Sequence, residues 1–61
     1  MSAAPSIDPL RWYRMRDLEE LLGAEAAAKL ATYQIRSYGA YGRDVIREAR
    51  AAGVEVLEAS P

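Results

Sequence analysis

Apolar positions along this 61-residue chain recur at helical intervals in three stretches punctuated by glycine. The last is the sharpest. At about 100° per residue, Val45, Ile46, Ala49 and Ala52 share one arc, Arg43, Arg47 and Arg50 a second, and Asp44 and Glu48 a third. The pattern predicts a helix over 43–52, with Gly53 as its stop. Its apolar face needs cover from the chain or a partner, while the arginines offer donors to anionic groups.

Upstream, Ala24, Ala28, Ala31, Ile35 and Tyr38 follow a 4-3-4-3 spacing, the seam of a helix packed on helices. This predicts a central helix over 24–37. Before it, Asp8-Pro9 is a helix-start signal. Leu10, Met15, Leu18, Leu21 and Leu22 then fall within about 140° of arc. Arg11 and Arg14 land inside that same arc. Either their heads snorkel outward, or residues 10–16 are extended and the helix starts at Asp17, where Glu20 completes a capping box. Poor alternation over 10–16 favours a helix over 9–22, which Gly23 ends or kinks. Gly39 and Gly42 mark a turn. Residues 1–7 read as a flexible N-terminal arm. Residues 54–61 read as a tail that lengthens the last helix or packs as a short extended piece. The expected architecture is all-α: one small domain of three short helices.

Composition sharpens this picture. A chain of 61 residues buries only about 60% of the surface it exposes unfolded. Twelve alanines, six leucines and no phenylalanine make its interior groups small. Burial and ordering then nearly cancel. Without cysteine there is no disulfide, and without cysteine or histidine the usual zinc ligands are missing. Completion of the fold by oligomerisation or a partner is the expected remedy. A net charge of −1 disfavours coating nucleic acid through bulk charge, yet leaves room for a local basic patch. No apolar run nears the roughly 18 residues that span a bilayer, and the first ten residues lack a signal-peptide pattern. A soluble, cytoplasmic protein is expected, with no membrane partner.

Candidate chemistry is sparse. Asp17, Glu19, Glu20 and Glu25 are spaced as a solvated face, not as a convergent pair. No glycine-rich phosphate loop follows a strand. The expectation is therefore no enzyme, no cofactor, no metal and no small-molecule substrate. Trp12, Tyr13, Tyr33, Tyr38 and Tyr41 are expected to supply most large core side chains, or an interface hot spot. Candidate protein contacts are Trp12, Met15, Leu22, Ile35 and Tyr38. The arginines either pair with acidic faces of neighbouring helices, Asp44–Arg47 being one local pair, or contact phosphate, or meet an acidic protein partner. Candidate nucleic-acid contacts are Arg14, Arg16, Arg43, Arg47 and Arg50.

Two local resemblances bear on that second choice. Residues 37–49, Ser-Tyr-Gly-Ala-Tyr-Gly-Arg-Asp-Val-Ile-Arg-Glu-Ala, resemble the segment opening the second helix of ribbon-helix-helix regulators, a dimeric DNA-binding family. The resemblance implies Arg43 and Asp44 at a phosphate-gripping helix start, and Trp12, Arg14 and Arg16 on a groove-reading strand. Arg43 stands where the family carries a serine cap, and Gly23 interrupts its first helix. Residues 18–25, Leu-Glu-Glu-Leu-Leu-Gly-Ala-Glu, resemble a helix-turn-helix with Gly23 as the turn glycine, though Lys29 falls where an apolar anchor belongs. Neither stretch assigns a family. The reading is a small interaction module binding itself or another protein through helical apolar faces, with a dimeric DNA-binding regulator as the alternative.

Overall fold

The computed structural model describes residues 4–60. In chain order the elements are β1 (Ser6–Ile7), β2 (Trp12–Tyr13), α1 (Met15–Leu22), α2 (Ala24–Lys29), α3 (Tyr33–Ser37), β3 (Ala40–Tyr41), α4 (Gly42–Ala52) and β4 (Leu57–Glu58). Four helices and two small sheets replace the expected all-α three-helix bundle.

The first departure is at Asp8–Pro9, which opens a β-turn and not a helix. Arg11 N–H donates to the Asp8 carbonyl at 3.1 Å, and Leu10 N–H donates to Asp8 Oδ1 at 2.9 Å. A carboxylate offers the same oxygen to an N–H two residues on, whether it caps a helix or forms an Asx turn. Proline suits the second position of either. The chain then runs extended through β2, which pairs antiparallel with β3, Trp12 opposite Tyr41 and Tyr13 opposite Ala40. Helix α1 begins at Met15, neither at Pro9 nor at Asp17. Asp17 is its third residue, and Oδ2 accepts the Arg14 N–H at 2.9 Å.

Gly23 separates α1 from α2 at φ 89°, where other residues are strained. The expected helix over 24–37 divides into α2 and α3. Thr32 starts the second piece, its Oγ1 accepting the Ile35 N–H at 3.1 Å. The 4-3-4-3 seam is not a single packed face: Ile35 is buried, whereas Ala24, Ala28 and Tyr38 are exposed. Ala27 and Leu30 turn inward instead.

Helix α4 matches its expected span to within one residue. Val45, Ile46 and Ala49 are buried, Ala52 is exposed, and Gly53 closes the helix in the left-handed conformation. Val54 N–H returns to the Ala49 carbonyl at 2.8 Å. The tail takes its extended alternative. Leu57–Glu58 pairs parallel with Ser6–Ile7, so part of the expected flexible arm is a docked strand. Residues 1–3 of that arm and Pro61 lie outside the described residues.

The core is aliphatic. Ile7, Leu18, Leu30 and Val45 are its largest fully enclosed side chains, joined by Tyr13, Ala27, Ile35, Ala40, Ile46 and Ala49. Tyr13 is its only aromatic, which corrects the expectation that aromatics supply most of the large interior groups. A Cα radius of gyration of 10.3 Å is close to the roughly 10.5 Å expected of one compact chain of this length. Among the described residues no helix is long and apolar enough to cross a membrane.

A candidate aromatic–arginine interaction face

The short β2–β3 ribbon sorts its four side chains by simple alternation. Tyr13 and Ala40 point inward and are buried, so Trp12 and Tyr41 must point outward. They are opposite one another, and their rings meet edge-to-face at 5.1 Å between centroids and 90° between planes. Trp12 is 41% exposed and Tyr41 48% exposed. Two bulky rings are thus held in place yet only half covered.

The turn after α3 fixes the indole from its other side. Trp12 Nε1–H donates to the Tyr38 carbonyl at 3.2 Å. Gly39 follows at φ 97°, its N–H reaching the Gln34 and Ile35 carbonyls, while Gln34 Nε2–H donates to the Gly39 carbonyl at 3.1 Å. A side chain at Gly39 would begin 2.7 Å from the indole nitrogen, so the close approach depends on glycine. Tyr38 also packs edge-to-face on Tyr33, at 6.3 Å between centroids. Both tyrosines are exposed.

At the other end of the ribbon, Pro9, Leu10, Tyr41 and Arg43 line an open hollow of about 380 Å3. Leu10 is 76% exposed in the Asp8–Arg11 turn. Arg11 stacks its guanidinium 5.2 Å above the Tyr13 ring. Tyr13 in turn uses its hydroxyl to accept the Asp8 N–H at 2.9 Å.

Charge follows the same division. Residues 9–16 and 33–43 carry all five aromatics and five arginines, Arg11, Arg14, Arg16, Arg36 and Arg43, and no acidic residue. All nine carboxylates lie elsewhere. The β2–β3 pairing brings these two acid-free segments together. Among the described residues the one ion pair is Arg47–Asp44, at 3.4 Å on the exposed side of α4. An exposed pair of this kind contributes about 0–1 kcal/mol. The arginines thus do not pair broadly with acidic faces of neighbouring helices. No group of three or more carboxylates among the described residues is placed to hold a metal ion.

Of the protein contacts expected from sequence, Trp12 and Tyr38 come together here. Met15 and Leu22 are half-buried against the core, and Ile35 is enclosed within it. Tyr41 and Tyr33, expected in the core or at an interface hot spot, belong to the exposed set, as does Leu10, which was not a sequence candidate. The signal for Tyr41 was short, a two-residue strand beside a turn, and Leu10 carried none beyond its place after Asp8-Pro9. Of the arginine candidates, Arg43 lines the hollow. Arg14 and Arg16 sit at the start of α1, not on the strand that the ribbon-helix-helix resemblance implies. Arg47 and Arg50 are exposed along α4. The single residue Gly23 joins α1 to α2, shorter than the three or four residues of a helix-turn-helix turn. No protein-family model, curated protein or solved structure matches this chain.

Proposed function

We propose that this chain is a small recognition module that binds another protein through the face formed by Leu10, Trp12, Tyr38 and Tyr41. The observation that carries this reading is the Trp12–Tyr41 pair, locked by a hydrogen bond and a ring contact yet half open to solvent. Rings that are already ordered lose little entropy on binding, and Trp, Tyr and Arg dominate interface hot spots. The apolar faces of the helices support it less, because α4 and α1 spend theirs on the internal core. Symmetric self-association through this face would set arginine-rich segments against each other, which favours a different partner.

The nucleic-acid alternative draws on the exposed row Arg43, Arg47 and Arg50 along α4. It has weaker support, because Arg47 is engaged with Asp44 and the implied strand holds Trp12 but neither Arg14 nor Arg16.

A photo-reactive benzoylphenylalanine placed at Tyr41 of the full chain, in the cells that make it, tests the reading. We expect a discrete adduct with another protein, identifiable by mass spectrometry, that disappears with Leu10→Asp. The same probe at exposed Ala51 should give none. Adducts only with nucleic acid, only with a second copy of the chain, or equally from both positions would overturn it.

A further inference from the structure

Granted that this face binds a protein, its chemistry also describes what the partner must present. We infer that the partner is an acidic segment carrying an aliphatic side chain, which seats between Leu10 and Tyr41 while a neighbouring carboxylate meets Arg43. The hollow has the matching composition, lined by a proline, a leucine, a tyrosine and one arginine. Among the described residues, Arg43 makes no ion pair. The first two backbone donors at this end of α4 are already engaged. Gly42 N–H donates to the Arg11 carbonyl at 2.7 Å and Arg43 N–H to the Pro9 carbonyl at 3.1 Å. With those two donors engaged, the Arg43 side chain is the charged group that this end of α4 offers to an anion.

Charge complementarity selects the class of occupant. Arg43 and Arg11 flank the hollow, Asp8 is exposed in the same turn as Leu10, and Asp44 is paired with Arg47, whereas α1 carries Asp17, Glu19 and Glu20 against one arginine, Arg16. An acidic chain is repelled from α1 and drawn to the ribbon, and a basic chain is steered the other way. Ring geometry argues against a nucleic-acid strand. Trp12 and Tyr41 cross at 90°, so they make a notch and not the parallel platforms on which successive bases stack.

The probe is a synthetic peptide of alternating Glu and Leu, titrated into the full chain and followed by the fluorescence of Trp12, the only tryptophan. Expected is a saturable change that weakens as salt rises from about 50 mM to about 300 mM. Arg43→Glu should weaken binding about tenfold, and Arg50→Glu, two turns further along α4, should leave it nearly unchanged. Both residues are exposed, and matching circular dichroism spectra establish that the fold is intact. Equal binding of a Lys–Leu peptide, no effect of Arg43→Glu, no binding, or tighter binding of oligothymidylate would each overturn the inference. A protein adduct at Tyr41 combined with failure of the acidic peptide would remove this inference alone and leave the recognition reading standing.

Discussion

The carbonyl of Asp8 occupies the space that a side chain on Gly42 would need. Through that contact the Asp8–Arg11 turn lies directly on the start of α4, where the Pro9 and Arg11 carbonyls accept its first two N–H groups. A helix normally leaves such donors to a capping side chain or water. Here a turn distant in sequence supplies the cap, and the same turn carries Leu10 and leads into Trp12.

Gly42→Ala should therefore separate the turn from the helix. Overlap with backbone is relieved only by moving one segment, at about 3 kcal/mol, against less than about 1 kcal/mol returned by alanine's helix propensity. Gly53→Ala, strained in φ but open in space, should cost only about 1 kcal/mol. Urea unfolding of the two variants checks the order; equal midpoints would contradict it.

Ile7 tests whether the N-terminal segment belongs to the fold. It is fully enclosed, sits on a strand paired with Leu57–Glu58, and packs among core residues of α4. Ile7→Ala should cost about 3 kcal/mol, in the range for a large-to-small core substitution. Leu57→Ala, at a half-exposed position, should cost much less. Chemical denaturation measures both, and a near-wild-type Ile7→Ala would mean the segment is not docked in solution.

The Trp12–Tyr41 contact should appear as coupling. A double-mutant cycle with Trp12→Ala and Tyr41→Ala is expected to return about 1 kcal/mol of interaction energy, the usual yield of an edge-to-face pair. The same cycle with Trp12 and Tyr33 serves as reference and should return close to nothing. Additive losses in the first cycle would show that the rings are not held together.

Thr32 is the residue that divides the second helix. Thr32→Ala should cost about 1 kcal/mol through loss of its cap to Ile35 N–H, and Thr32→Ser should cost little because the hydroxyl is retained. If helical content rises in Thr32→Ala with no loss of stability, α2 and α3 are fusing and the cap is not what parts them.

How far the chain could be read depended on whether a signal was local. In α4, the sorted faces, Asp44–Arg47 and Gly53 all act within a few turns, and all are realised except that Ala52, expected on the apolar arc, is exposed. Gly23 likewise acted where it stood. The failures came where one local chemistry serves two structures. Asp8-Pro9 opens helices and turns alike, and Thr32 is as ordinary inside a helix as it is effective at its start. Arg11 and Arg14, intruding on the apolar arc of the favoured helix over 9–22, flank the short strand that does form, although Leu10 lies in a turn and Met15 and Arg16 are already in α1. Poor alternation hid that strand, because two residues have almost no pattern to show.

By its residues alone the chain specified where α1, α3 and α4 stop, which face of α4 goes inside, and that the large rings lie in stretches free of carboxylates. Tertiary structure decided what those stretches do. Trp12 and Tyr41 are 29 positions apart, and only the β2–β3 pairing makes them neighbours on an outward surface. Periodicity reports how a segment relates to its own axis. Pairing between distant segments depends on closing the loop between them and on the space glycine leaves at positions 39 and 42, and no local pattern encodes that.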